Sequence, residues 1–144
     1  MYRHVLVPID LGHAEVGDHI LKVAKFLAGT SGKVSVLSVL EPVPGYVANY
    51  IPREVSDKSR EESRHRLEEK VRTAGLSAEV VLRTGNAANE ILEEVRETGC
   101  DAVVIGSHRP DYRDYFIGST AARVVRHATC TVVVERTGPL TPET

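Results

Sequence analysis

No apolar stretch in this chain approaches the ~20 residues a membrane-spanning helix needs. The opening "MYRHVLVPID" carries an apolar run too short for a secretory signal and reads as a strand instead. A membrane role is therefore not expected, and the cytoplasm is the expected compartment. An excess of charge of one sign is missing as well: 18 Lys and Arg stand against 20 Asp and Glu, for a net charge of −2. A dedicated nucleic-acid binder usually carries a basic excess, so that class is disfavoured. Cysteine is limited to Cys100 and Cys130, without CxxC spacing. One pair is a poor framework for a secreted domain, and two buried, reduced thiols are the expectation. In a parallel sheet both would stand at the amino ends of strands, near one another.

Familiar catalytic signatures are missing too. The turn after the first strand reads "DLGHAEVG", not GxGxxG. Gly12 and Gly17 have the spacing of a Walker A loop, but Asp18 and His19 replace its lysine and hydroxyl residue. A carboxylate there would repel the phosphate that lysine attracts. A phosphoacceptor carboxylate would follow the third strand of a receiver domain, where this chain has Arg83-Thr84-Gly85. His4, His13, His19, His65, His108 and His127 form no HExxH or Cys/His cluster. No serine sits in GxSxG, which disfavours the common hydrolase elbow.

What is present is a regular alternation. Strand-like runs occur at 4–9, 33–40, 77–83, 101–106 and 131–135. Helical patterns fit 14–28, 52–74, 86–98 and 119–128. In the first, Val16, Ile20, Val23, Ala24 and Leu27 share a face. The second has a thin apolar stripe of Val55, Leu67, Val71 and Ala74 on a charged helix opened by Pro52. The third has Asn86 as its N-cap and Ile91, Leu92 and Val95 inward. Residues 41–51 read as a loop from their Pro, Gly and Asn content. The last two strands are nearly continuous aliphatic runs, as strands buried on both faces should be. These elements predict one α/β domain over 1–144, a doubly wound parallel sheet with helices on both faces and a frayed tail from about 137.

In such sheets ligands bind beyond the carboxyl ends of the strands, where strand order reverses. Here that means Pro8–Asp10, Val39–Glu41, Thr84–Gly85 and the connector "GSHRPDYRDYFIGST" at 106–120. Gly106 lets a ligand approach the backbone closely. Gly118, Ser119 and Thr120 open a helix whose free N–H groups and dipole attract an anion. The hydroxyl of Ser119 or Thr120 adds a bond to phosphate, and His108, Arg109 and Arg113 add positive charge. Asp10 is placed to accept from ribose hydroxyls or to hold Mg²⁺ beside phosphates. Tyr112, Tyr115 and Phe116 are read as packing the connector or meeting a partner rather than stacking on a base. The blander reading of the same residues is an ordinary helix start and a capping aspartate.

At these residues the chain resembles the universal stress proteins, over nearly its whole length. The marks are "HVLVPID", "TGNAANEI", "DAVVIGSHR" and "GSTAARVVRHATCTVVVER". Members of that family commonly carry G-x2-G-x9-G-[ST], associated with ATP binding. Here Arg109 stands in the place of the second glycine, and the interval to Gly118 is one residue shorter. The resemblance implies a five-stranded parallel sheet in order 3-2-1-4-5 with four helices, a three-layer sandwich. It implies an adenosine pocket lined by Pro8, Ile9 and Asp10, with Asp10 near the ribose. Val39 would contact adenine, and Ile105 and Gly106 would form the floor. His108 and Arg109 would approach the phosphates, with Gly118, Ser119 and Thr120 holding them. It implies a homodimer through the last strand, Thr131 to Arg136.

The function expected from the residues and the resemblance is a homodimeric stress-response regulator that binds ATP, AMP or ADP, with Mg²⁺ as a companion ion. Slow ATP hydrolysis or autophosphorylation on Ser119 or Thr120 is the most catalysis it implies. The alternative is a dimeric interaction module of the same fold that binds no nucleotide, motivated by Arg109. A true enzyme of the related adenine-nucleotide α-hydrolase class would carry an SGGxDS-like loop after strand one, and "DLGHAEVG" lacks it.

Overall fold

The computed structural model describes residues 1–11, 14–42, 44–107 and 118–136, without the side chains of 14–16 and 48. In chain order the elements are β1 (His4–Pro8), α1 (Ala14–Ala28), β2 (Lys33–Leu40), α2 (Gly45–Ala48), α3 (Arg53–Thr73), β3 (Glu79–Thr84), α4 (Ala87–Thr98), β4 (Ala102–Ser107), α5 (Ser119–His127) and β5 (Thr131–Arg136). The strands lie in the order β3-β2-β1-β4-β5, with every pairing parallel.

Local chemistry sets most of the boundaries. Asn86 caps α4 by accepting a hydrogen bond from the Asn89 N–H at 3.1 Å. Gly99 ends the same helix at φ 66, a left-handed conformation that glycine enters without Cβ strain. The helix count differs from expectation by one. The segment read as a loop contains the single turn α2, entered at Pro44 and closed by Val47 N–H donating to Pro44 O at 2.9 Å. Proline disrupts a helix interior but suits a helix entrance, where its missing N–H costs nothing.

Alternation along the strands divides the core between the two sheet faces. Val5, Val7, Val34, Val36, Ala102 and Val104 meet Ile20, Leu21 and Ala24 of α1 and Leu67 and Val71 of α3. Leu6, Leu37, Val103 and Ile105 meet Ala88, Ile91 and Val95 of α4 and Ala121 and Val124 of α5. This is a three-layer α/β sandwich. The α1 stripe is rotated relative to expectation: Leu21 is fully buried, while Val23 and Leu27 are only partly so. Val16 falls among the undescribed side chains. The weakly apolar α3 is anchored by Leu67 and Val71, with Val55 exposed. Burying one such leucine contributes about 2 kcal/mol.

Burial on both faces, expected for the last two strands, holds for β4 alone. Ala102, Val103, Val104 and Ile105 are buried, whereas β5 is half-buried or exposed throughout. β5 is an edge strand, and among the described residues no strand lies on its outer side. The opposite edge is treated differently. Arg60 donates to Leu82 O at 3.3 Å and Arg64 to Val80 O at 3.4 Å, so α3 covers outward carbonyls of β3.

Candidate ligand cavity at the parting of β1 and β4

The site begins with a difference in pairing. β1 follows β2 for five positions, from His4↔Lys33 to Pro8↔Leu37, and Ile9 N–H extends the run by donating to Leu37 O at 2.8 Å. With β4 it pairs only at Val5↔Ala102 and Leu6↔Val103. On its other side β4 stays paired with β5 throughout, from Ala102↔Thr131 to Ser107↔Arg136. The two central strands therefore part at their carboxyl ends. The chain leaves them in opposite directions across the sheet, which is the geometry of a switch-point crevice.

A cavity of about 910 Å³ opens there. Pro8, Ile9 and Asp10 line it from β1, Val39 from β2, Ile105 and Gly106 from β4, and Gly118, Ser119 and Thr120 from the start of α5. The structure thus brings together all of these residues singled out from the sequence. His108, Arg109, Tyr112, Arg113, Tyr115 and Phe116 lie outside the described residues, as do Gly12, His13 and the tail from 137.

The cavity has an apolar floor and two chemically different ends. Ile9, Ile91, Ile105 and Ala121 are each at most 5% exposed. Asp10, Glu41 and Asp57 all belong to the β1–β2–α3 side. Carboxylates of that kind accept from hydroxyls and amino groups. The α5 side has no acid in the first helical turn. Gly118 enters that helix at φ 81 and ψ 153, and as the N-cap residue it makes no side-chain cap bond to the first N–H groups. Those donors, with the positive end of the helix dipole, favour an anion.

The α3 wall was missed from the sequence. Ser56, Asp57, Ser59, Arg60 and Ser63 line the cavity opposite the strand ends. Arg60 is the one cationic side chain in the described lining, and its Nη1 donates to Thr84 Oγ1 at 3.1 Å. A signal existed: Ser56, Ser59, Arg60 and Ser63 fall at helical spacing, a small-polar stripe where the apolar stripe runs thin. Placement of α3 also depends on distant partners. Arg66 donates to Leu11 O at 3.0 Å, and Lys70 pairs with Asp18 at 3.1 Å.

Two of the scattered histidines have ordinary partners. His4 Nε2 lies 2.7 Å from Ser35 Oγ at the far end of the sheet, and His19 Nε2 lies 2.8 Å from Glu135 Oε1. Among the described residues no helix is long and apolar enough to cross a membrane.

Comparison with known proteins agrees with this architecture. A sequence model of the universal stress protein family matches residues 1–136. Universal stress protein G of Shigella flexneri is 32% identical over a 145-residue alignment, covering 94% of this chain and 100% of that protein. Among solved structures, the universal stress protein from Archaeoglobus fulgidus in complex with dAMP is similar at a TM-score of 0.64 and 21% identity, covering 92% of this chain and 97% of that one. A universal stress protein in complex with cAMP is similar at a TM-score of 0.62 and 21% identity, covering 93% and 96%. At these identities the two structures speak for the fold.

Proposed function

The chain belongs to the universal stress protein family, and on that premise we propose that it binds an adenine nucleotide, ATP foremost, between β1 and β4 and acts as a nucleotide-dependent stress-response regulator. One observation carries the reading. The crevice left where β1 parts from β4 has carboxylates on one side and a helix start opened by Gly118 on the other. A nucleotide has the matching polarity, with hydroxyls and an amino group at one end and phosphates at the other. The cavity volume falls within the roughly 300–1,000 Å³ common for small-molecule sites. The cAMP and dAMP complexes of two relatives support the ligand class.

In this reading Asp10 accepts from the ribose, Val39 meets the base, and Ile105 and Gly106 form the floor. Gly118, Ser119 and Thr120 hold phosphate through N–H and hydroxyl donors, joined from the connector by His108 and Arg109. An accompanying Mg²⁺ would neutralise phosphate charge, and Asp10 is the hard oxygen donor suited to it. The protein works in the cytoplasm as one domain and as a homodimer through β5. The asymmetry of the sheet edges supports that dimer, because α3 arginines cover the β3 edge while β5 stays partly exposed.

Calorimetric titration with ATP and Mg²⁺, beside thermal denaturation, tests the proposal. Ligand at a hundred times Kd should stabilise the fold by about 2.7 kcal/mol. Absence of binding heat, with an unchanged melting temperature at millimolar ATP, would overturn it. It would also favour the second reading, a dimeric interaction module without nucleotide, for which Arg109 in place of a glycine is the specific observation.

A further inference from the structure

Cys100 and Cys130 stand just before β4 and β5, at the end of the sheet opposite the cavity. Ala102 pairs with Thr131, so Cys100, two residues before the one, and Cys130, one residue before the other, stand with a one-residue offset at the starts of adjacent parallel strands. Both side chains belong to the α4–α5 face. Cys100 is buried in that core, and Cys130 packs against it from a half-buried position. Both thiols are free, and they share one apolar cluster. A core filler needs no second thiol beside it, and a lone buried thiol offers no route for an oxidant. Here the buried sulfur has a partner that reaches toward solvent.

We propose that Cys100 and Cys130 are a reversible dithiol–disulfide pair that a hydroperoxide oxidises, stapling the base of β4 to the base of β5. A disulfide needs Cα atoms about 4.4–6.8 Å apart; adjacent strands run about 4.8 Å apart, and the one-residue offset between the two cysteines keeps that separation within reach. Cys130 is the accessible member and reacts first. Its thiolate attacks the peroxide, an S–O bond forms, the O–O bond breaks, and the leaving oxygen takes a proton to become water or an alcohol. The Cys100 sulfur then attacks the sulfenic sulfur. An S–S bond forms, the S–O bond breaks, and the departing hydroxide takes the Cys100 proton as water. Two thiols have lost two electrons, and the peroxide has gained them.

The environment sets the pace of this chemistry. Burial pushes the Cys100 thiol up to about 11, and burial raises Cys130 as well. Thiolate is scarce near neutrality, so the pair answers sustained oxidation rather than a brief pulse. The consequence is topological. Residues 101–129 include β4, Gly106, Gly118 to Thr120 and α5, the anion-facing half of the cavity. The disulfide closes that whole stretch into a loop and restricts it in the unfolded chain.

The test uses the full-length reduced protein exposed to hydrogen peroxide for increasing times, then denatured and alkylated. Intact mass should fall by two hydrogens, both alkylation sites should disappear together, and dithiothreitol should restore them. Peptide mapping should join Cys100 to Cys130 within one chain, and the oxidised protein should melt at a higher temperature than the reduced one. Cys130→Ser should abolish the product. Because Cys130 is half-buried, that variant should fold as the parent does. Full alkylation of both cysteines after long exposure would overturn the proposal. So would oxygen addition or chain-to-chain linkage as the only product. None of these readouts depends on nucleotide binding.

Discussion

Arg83 Nη1 on β3 lies 2.9 Å from Oε1 of the buried Glu94 on α4. The same guanidinium reaches Glu90 at 2.9 Å and Glu97 at 3.1 Å. One arginine therefore ties the start, middle and end of a helix to the edge of the sheet. Hydrogen bonds to Glu97 and Glu90 hold the guanidinium protonated, above its usual range. Arg83→Met should leave Glu94 buried without its cation and cost about 2 kcal/mol. Glu97→Ala should cost about 0–1 kcal/mol, because that partner is largely in water. Arg83→Met combined with Glu94→Leu should recover most of the single-variant loss, since neither group is then orphaned. Urea denaturation of the three variants and the parent checks the series, and a double variant no more stable than Arg83→Met would contradict it.

Gly118 offers a separable test of the anion side. Among the described residues nothing lies within 4 Å of a Cβ added there. Its φ of 81 with ψ 153 is nonetheless almost confined to glycine, and such a residue costs about 1–3 kcal/mol. Gly118→Val should fold with a lower melting temperature and lose ATP affinity at least tenfold, because each ~1.4 kcal/mol is a factor of ten. Circular dichroism and calorimetry on the same sample separate the two effects. Unchanged affinity would remove the α5 start from the phosphate site.

Arg60 and Arg64 test the guarding of the β3 edge. Their partners are the Leu82 and Val80 carbonyls at 3.3 and 3.4 Å. Replacing both by alanine should cost little stability but expose an outward strand edge. Sedimentation velocity should then show association beyond the parental state. An unchanged distribution would mean the arginines do not guard this edge. Arg60→Ala alone should also alter ATP affinity, because that side chain lines the cavity.

The acid limb of stability should have two parts. Burial, and then the nearby Lys33 charge, hold the His4 imidazole below its usual 6.5. The unfolded chain then binds a proton more readily than the folded one. Stability is complete above about pH 6.5, declines as pH falls below it, and stops declining once the folded value is passed. Asp101 is held below its usual 3.8 by backbone N–H groups of Arg3 and then His4. Its contribution is present above that value and lost as pH falls through the folded one. Urea midpoints between about pH 8 and pH 5 should slope downward in the parent and flatten in His4→Gln. Equal slopes in both would assign the limb to other groups.

Glu94 marks the limit of periodicity. Leu92 was expected inward on α4, yet Glu94 is buried and Leu92 only partly so. The helical spacing was right, but a glutamate enters a core only when a cation meets it. Arg83, on another element, supplies that cation. Nothing in the local pattern around 86–98 encodes it.

The sequence alone determined every element but the single turn α2, and their parallel arrangement, because caps, glycine stops and hydrophobic period act over a few neighbouring residues. Asn86, Gly99 and the aliphatic run of β4 mark their own positions in that way. The family resemblance added the order of the strands. Only the tertiary structure decided where β1 leaves β4, after Leu6↔Val103, and hence where a cavity can open. It also decided that the polar stripe of α3 faces that cavity and that Arg60 binds Thr84 across 24 residues. Those outcomes depend on register and docking between distant segments. Their energies come from contacts made only after the whole sheet has assembled.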